Sequence, residues 1–233
     1  MIREIRWHLL IAAALGLSCW PLLLWAQGAP AADPYVAVVV KVTPPVTVQR
    51  ADTAAVVPLK PDDRLYPGDR IVCGEAGRAS LIFADTAVEL KLLPDTELTL
   101  QGQRTNGNIV KRIYLQIGKL LTQVLRGDME VVTPTCVASV KGTRWWTTVD
   151  RDEVTEVIVL EGEVRVENRA SGVVNIVGAG NTASSFPSGL QQVNPTQNKD
   201  IPGGSFQSDQ GSLQIEFEDN SGQSKTLHIE FNR

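Results

Sequence analysis

The sequence predicts an all-β fold, because its apolar residues recur with a period of two and turn residues interrupt the chain at short intervals. Val88, Leu90 and Leu92, for example, alternate with Glu89 and Lys91. Such alternation is typical of strands with one buried face and one face in water. Turn signals rich in Gly, Asn, Asp and Pro separate the short strands. A chain of this kind predicts a compact β domain, arranged as a roll, a short solenoid or a sandwich.

Residues 1–32 have the order of a secretory signal peptide or a membrane anchor. Arg3 and Arg6 precede an apolar run from Leu9 to Ala26, and small residues follow. The run of roughly 18 residues is longer than most signal-peptide cores and just reaches the length of a membrane span. A cleaved signal and a retained anchor helix therefore both remain open. Both place the rest of the chain outside the cytoplasm, in the periplasm or another extracytoplasmic space.

The remaining chain divides into a β domain over residues 33–194, a linker over residues 195–211 and a C-terminal β-hairpin over residues 212–233. The linker is polar and rich in Pro, Gly, Ser and Gln, which is typical of a flexible connection. In the hairpin, apolar and polar residues alternate on both sides of a turn. Because a lone hairpin is marginally stable in water, we expect its apolar face to dock. We favour docking on its own domain over docking on a partner.

Composition limits the class of partner. Apolar residues make up 43% of the chain, which supports a real core. The formal net charge is −4, and this argues against a nucleic-acid partner, since phosphates require basic patches. Lys111 and Arg112 are adjacent, and we expect both on a solvent-facing strand surface.

Two cysteines, Cys73 and Cys136, lie beyond the N-terminal segment. Export makes a disulfide chemically feasible, but both residues flank predicted strands, where a small apolar thiol packs well. We favour two buried free thiols, and a disulfide between them remains open.

The stretch from residue 133 to residue 143 predicts a strand that ends at a glycine bend. Pro134 suits the start of a strand, where no amide donor is needed. Gly142 permits a bend or a positive φ. Farther along, Glu161 and Gly162 predict a tight turn between two strands. We assign these residues structural duties only.

Several segments resemble, in order and spacing, the sequence pieces that define the FecR domain, an exported all-β module of bacterial cell envelopes. The resemblance runs from about Val36 to Val193. Its pieces are residues 65–71, 78–83, 85–92, 94–98, 133–143, 159–164 and 178–180. It implies a compact β fold and a binding or signalling role rather than catalysis.

The chain also departs from the FecR pattern. Lys141 stands where the family usually has Arg, and no glycine follows Asp85. The family's iron-uptake regulators carry a cytoplasmic anti-sigma domain before the membrane segment. Here about eight residues precede the apolar run, far below the ~40 that an independent fold needs. We therefore expect no direct control of a sigma factor.

Residues that could support catalysis are scarce. One of the two histidines lies in the N-terminal segment and the other, His228, in the hairpin; motifs for zinc, a nucleophile elbow or a phosphate loop are lacking. The pairs Asp62/Asp63 and Asp95/Glu97 could serve a glycosidase in principle, but they follow turn signals. We expect no enzyme activity, no metal and no cofactor.

The best candidate for a binding surface is the pair Trp145 and Trp146. Adjacent strand residues point to opposite faces, so we place Trp145 in the core and Trp146 outside, beside Arg144 and Thr148. An exposed Trp with a neighbouring Arg can stack on a sugar ring or anchor a protein contact. Another strand or the terminal hairpin could instead cover Trp146.

These observations predict a non-catalytic, exported FecR-like binding module that contacts another cell-envelope protein in signalling or sensing. The alternative is a structural protein associated with the cell wall or a polysaccharide, and a hydrolase based on surface carboxylates is third. The sequence does not indicate an oligomeric state.

Overall fold

The all-β prediction is confirmed by the computed structural model of the chain. The structure describes residues 35–85, 87–105 and 108–202, together with the backbone of two strands, Ser212–Glu218 and Ser224–Glu230. The only helical element in these residues is a single 3₁₀ turn, Asn198–Asp200. The predicted N-terminal signal or anchor helix lies outside the described residues. Within them, no helix is long and apolar enough to cross a membrane.

The strands are short, as the turn spacing predicts. In chain order they are β1 (Ala37–Thr43), β2 (Val46–Gln49), β3 (Val56–Pro58), β4 (Arg64–Leu65), β5 (Arg70–Cys73), β6 (Arg78–Phe83), β7 (Val88–Leu92), β8 (Glu97–Leu100), β9 (Gln103–Thr105), β10 (Asn108–Val110), β11 (Arg112–Val124), β12 (Asp128–Val132), β13 (Cys136–Lys141), β14 (Arg144–Val149), β15 (Thr155–Glu161), β16 (Glu163–Asn168), β17 (Val174–Gly178), β18 (Asn181–Ser185), β19 (Gln191–Pro195), β20 (Ser212–Glu218) and β21 (Ser224–Glu230).

Seventeen of these strands form one hydrogen-bonded network that folds into two sheets. Sheet A has the order β4-β1-β6-β7-β11-β14-β15-β18-β19. Sheet B has the order β3-β2-β5-β8-β11-β12-β13-β16-β17. All pairs are antiparallel except β11 with β12.

Strand β11 belongs to both sheets, because it bends in the middle. Ile113 to Ile117 pair with β8 in sheet B, whereas Gly118 and the residues after it pair with β14 in sheet A. Gly118 has a φ of +104°, a conformation that glycine adopts without the steric cost of a Cβ. The bend lets one strand join the two layers.

Other glycines turn the chain from one sheet to the other. Gly142, with φ +77°, lies between β13 of sheet B and β14 of sheet A. Gly162, with φ +80°, lies between β15 of sheet A and β16 of sheet B. The tight turn predicted at Gly162 is therefore a corner between sheets rather than a hairpin, since its two strands have separate partners.

One apolar core fills the space between the sheets. Inward residues of both sheets contribute to it, and the largest fully buried side chains include Trp145, Phe83 and Leu65. Cys73 and Cys136 are buried free thiols in this core, as favoured by the sequence.

Hydrogen bonds between buried polar side chains connect the two sheets in addition to the glycine corners. Thr135 Oγ1 donates to Thr155 Oγ1 at 2.8 Å, and Thr155 Oγ1 donates to Thr133 Oγ1 at 2.9 Å. Asn168 Nδ2 donates to Ser185 Oγ at 2.9 Å. Each buried polar group in this network has a partner, which avoids the cost of burying it unpaired.

The adjacent residues Lys111 and Arg112 lie in different environments, one buried and one exposed. Arg112 is exposed beside Glu130, with 3.6 Å between Nε and Oε2. The expectation for Lys111 is wrong, because its side chain is only 7% exposed and its Nζ lies 2.7 Å from Asp85 Oδ2. A nearby carboxylate compensates for the burial of this ammonium group.

Strands β20 and β21 pair antiparallel, so the backbone of the C-terminal hairpin has the predicted form. Leu213 lies opposite Ile229, and Ile215 lies opposite Leu227. Directly opposite residues share one face of an antiparallel ribbon, which agrees with a two-faced hairpin.

Candidate functional site

Trp145 and Trp146 lie on opposite faces of sheet A, as strand alternation requires. Trp145 is fully buried in the core, and its Nε1 donates to Thr147 Oγ1 at 3.0 Å. The core placement of Trp145 is confirmed.

Trp146 lies on the outer face of sheet A, but the expected exposure is wrong, because only 2% of the residue is accessible. It forms a second apolar cluster with Leu93 and Ile158, separate from the main core. Ile201 packs against this cluster. An aromatic side chain in such a position cannot stack on a sugar ring while the cover is in place.

The two other predicted site residues contact neighbours on β15. Arg144 Nη2 lies 2.7 Å from Glu161 Oε1, and its Nε is buried without a partner among the described residues. Thr148 Oγ1 donates to Glu156 Oε2 at 3.4 Å. Trp146, Arg144 and Thr148 thus share one face, as alternation predicts, and their binding role stays a prediction.

The segment 196–202, which composition assigns to the linker, reaches the cluster around Trp146 through Ile201. The backbone N–H of Thr196 donates to Gly180 O at 2.8 Å, and its hydroxyl lies 2.8 Å from Thr182 Oγ1. Asp200 N–H donates to Gln197 O at 2.9 Å, which closes the 3₁₀ turn. We call residues 196–202 the strap.

An accessible apolar surface that sequence reasoning missed is the β17 edge. Strand β17 pairs with β16 and with no other strand in the described part of the chain. Val173, Val174 and Ile176 are 45%, 42% and 60% exposed. This edge faces solvent beside β19. Asn175 Nδ2 of β17 donates a hydrogen bond to Gln191 Oε1 of β19 at 2.6 Å.

The β17 edge also lacks charge. From residue 170 to residue 198 the chain has no Asp, Glu, Lys or Arg, although 21% of all residues are charged. This uncharged run contains β17, β18 and β19, and it is the sequence feature that distinguishes this part of the chain.

A shallow groove of about 620 Å³ lies next to the β17 edge, on the outer face of sheet B. Carboxylates of Asp128, Glu130 and Glu163 line it together with Lys141 and Arg165. The charges of both signs nearly balance, so the groove favours neither an anion nor a cation.

A different polar constellation lies under the loop before β5. The carboxylate of Asp69, a residue that is 1% exposed, accepts hydrogen bonds from Arg50 Nη1 at 2.7 Å, Tyr66 N at 3.0 Å and Ala51 N at 3.2 Å. Gly68 has a φ of +88° and donates its N–H to Leu100 O at 2.6 Å. Asp69 therefore holds a turn, and three donors to its carboxylate serve this structural role.

The carboxylates that could suit a hydrolase also serve local structure. Asp62 and Asp95 have positive φ values of 68° and 56° in turns. Asp63 Oδ2 accepts from Lys60 N at 2.8 Å, and Glu97 pairs with Arg70 at 2.7 Å. Among the residues that the structure describes, no three His, Cys, Asp or Glu side chains are grouped to hold a metal ion.

Burial makes both thiols poor nucleophiles. It raises the pKa of the Cys73 thiol from 9.0 to about 12. Burial also raises the pKa of Cys136, although hydrogen bonds from Thr133, Thr155 and Ser185 and the charge of Arg169 oppose that shift. Since the thiolate is the reactive form, neither cysteine has the environment of a catalytic nucleophile.

Comparison with solved structures finds two crystal structures of a proposed anti-sigma factor from Parabacteroides distasonis ATCC 8503. The 2.50 Å structure has a TM-score of 0.47 and 15% identity, over 55% of this chain and 60% of that one. The 1.65 Å structure has a TM-score of 0.47 and 16% identity, over 66% of this chain and 70% of that one. This chain thus spans less than two thirds of the first of them. No curated protein matches the sequence significantly.

Comparison with family models gives a match to the family described as FecR protein, over residues 69–165. The matched segment begins at the buried Asp69 and ends in β16, so it contains the bend at Gly118 and the corners at Gly142 and Gly162. The match confirms the resemblance found in the sequence. Residues 69–165 of this chain are therefore similar to the FecR protein family.

Proposed function

We propose that the chain is a non-catalytic, extracytoplasmic FecR-type module that contacts another protein of the cell envelope in signalling or sensing. The FecR match supports a signalling-related role. The basic and apolar N-terminal sequence supports export, with or without a retained anchor. The observation that carries the contact itself is the uncharged, exposed β17 edge.

An open edge strand is a ready template for a further strand, because its outer backbone N–H and C=O groups have no strand partner. Proteins usually protect such edges with charges or proline. At the other end of the two sheets, edge strand β3 contains Pro58 and edge strand β4 contains Arg64. Strand β17 contains neither a charged residue nor a proline, so it is the edge best suited to pair with a strand of another protein.

The proposed partner contributes an extended segment that pairs with β17 as an additional strand of sheet B. Main-chain hydrogen bonds supply affinity in this binding mode, and alternate side chains supply specificity. Val174 and Ile176 lie on the outer face of the sheet, opposite Glu167 and Arg165 of β16. An uncharged partner strand with apolar residues at alternate positions matches this surface.

The polysaccharide alternative rests on Trp146, and only 2% of that residue is accessible in this structure. A sugar-binding platform requires an accessible aromatic face. The protein-contact function therefore has better support than the glycan-contact function.

Capture with charged variants tests the proposal. Tagged full-length protein with Ile176→Lys is compared with wild type in crosslinking capture from intact envelopes. A lysine on the edge should abolish the specific crosslinked species, because pairing would bury its charge. The matched control is Val40→Lys, which places the same charge at a residue that is 56% exposed on β1. Equal capture by all three proteins would remove the β17 edge from the proposal.

A further inference from the structure

The strap lies across an apolar row on the outer face of sheet A. Trp146 of β14 lies opposite Ile158 of β15, which lies opposite Thr182 of β18. Thr196 is bonded at the Thr182 end of this row, and Ile201 packs against the cluster that contains Trp146 and Ile158. Two strand spacings are about 10 Å, a distance that five residues bridge easily at about 3.3 Å each. The strap is therefore long enough to reach from Thr182 to Trp146.

Among the residues that the structure describes, the contacts given for the strap lie at its two ends. Thr196 makes the two hydrogen bonds at one end, and Ile201 and the buried Pro202 occupy the other. Between them, Lys199 and Asp200 are exposed. The hydrogen bonds of the intervening turn are internal to it, since Asp200 accepts from Gln197 N and donates to Gln197 O. Such a segment can leave the surface without breaking a strand pairing.

The surface beneath the strap has the composition of a contact site rather than of an ordinary solvent face. Leu93, Trp146 and Ile158 form its buried centre, and Leu121 and Leu160 pack around them. This cluster is separate from the main core, so uncovering it leaves the packing between the sheets unchanged. Tryptophan surrounded by aliphatic residues is typical of the centre of protein interfaces.

We propose that the strap is a releasable cover that closes the Trp146 surface in cis. The strap leads directly into residues 203–233, which contain the C-terminal hairpin. Engagement of that hairpin elsewhere therefore pulls on the Ile201 end of the strap first. When the strap opens, Ile201 leaves the apolar cluster and Trp146 becomes exposed. When the strap closes, Ile201 packs against the cluster again. The inference is independent of the β17 edge, which lies on a different strand and sheet.

Hydrogen exchange of the unmodified full-length protein tests the cover directly. The Thr196 amide is bonded to Gly180 O and the Asp200 amide to Gln197 O. If the strap opens by itself, these amides exchange at least about 100-fold faster than the amide of Ile158 beneath them, because local opening is far more frequent than loss of a central strand. Equal protection of Thr196, Asp200 and Ile158 would mean that the strap opens only with the domain and would overturn the proposal.

A second test removes the apolar contact of the cover. In Ile201→Ser, acrylamide should quench the fluorescence of Trp146 several-fold more strongly than in wild type. The same substitution is made in the Trp146→Phe background, where the increase must vanish if it reports Trp146. Val193→Ser, at a residue that is 41% exposed on β19, is the matched control and should leave quenching unchanged. Unchanged quenching in Ile201→Ser, or cooperative unfolding of the whole domain, contradicts a releasable cover.

Discussion

Asp69 is the residue whose environment leads to the sharpest stability prediction. Its carboxylate is buried and joins Arg50 to the backbone of two loops. Asp69→Ala removes the ion-pair partner of Arg50, whose Nη1 still donates to Arg64 O, and leaves two amides without their acceptor. We expect the free energy of unfolding to fall by about 3 kcal/mol, as for other broken buried ion pairs.

Chemical denaturation followed by circular dichroism measures this change. Asp52→Ala is the matched control, because Asp52 is exposed in the same region and its loss should change stability by less than about 0.5 kcal/mol. Similar effects for the two substitutions would show that Asp69 has no special structural role.

The buried Cys73 thiol makes stability depend on pH in a defined direction. Its pKa is raised from 9.0 to about 12 in the folded protein. Above pH 9 the unfolded thiol ionises while the folded thiol stays neutral. The stabilisation is therefore complete below pH 9 and is lost as the pH rises toward 12.

The stability difference between wild type and Cys73→Ala isolates this thiol, because all other groups titrate in both proteins. Urea unfolding at several pH values should show the difference shrinking by about 1.4 kcal/mol per pH unit above pH 9. A difference that stays constant up to about pH 10.5 would contradict a buried neutral thiol.

For single residues, strand alternation predicted which face of the sheet a side chain lies on better than it predicted which residues pack around that side chain. The faces of Trp145 and Trp146 follow from adjacent positions in one strand. The burial of Trp146 could not be predicted, because Ile201, which packs against its cluster, belongs to a non-periodic segment far along the chain. The burial of Lys111 was not predicted for a similar reason, because its ion-pair partner Asp85 lies in a turn that is distant in sequence.

Among the elements, β11 depends most strongly on one glycine. A Cβ at Gly118 would lie 2.4 Å from Thr96 Cα and 2.6 Å from Asp95 O, in addition to the strain of its positive φ. Gly118→Ala should therefore destabilise the domain by about 3 kcal/mol, the sum of a left-handed backbone and an overpacked contact.

Gly172→Ala is the matched control for Gly118→Ala. Gly172 also has a positive φ, of 69°, but a Cβ added there would meet no atom within 4 Å. Only the backbone cost of about 1–2 kcal/mol remains at this position. Equal midpoints of thermal unfolding for the two variants would show that the close approach of Thr96 is unimportant.

The sequence predicted the glycine positions of these elements better than their topology. Gly142 and Gly162 were expected to bend or turn the chain, and they do. Whether a glycine closes a hairpin or moves the chain to another sheet depends on the partners of the flanking strands. Those partners are distant in sequence, so local turn chemistry cannot distinguish the two cases.

For the molecule as a whole, periodicity and turn spacing predicted the fold class, and the FecR resemblance predicted the family match. The β17 edge was not predicted, because an edge is defined by the absence of a neighbour in the completed sheet. Residues 170–198 lack charge, and this run becomes informative only once β17 and β19 are known to lie last in their sheets.

Site-specific photo-crosslinking in living cells tests the central claim most directly, because it reports the compartment and the contact together. A photoreactive residue replaces Ile176 on the β17 edge in one variant of the full chain and Val40 in the other, at two similarly exposed positions. The account predicts a crosslink from position 176 to an extracytoplasmic protein and none from position 40. A crosslink from position 176 to cytoplasmic proteins, or equal crosslinking from both positions, would contradict an exported module that binds through β17.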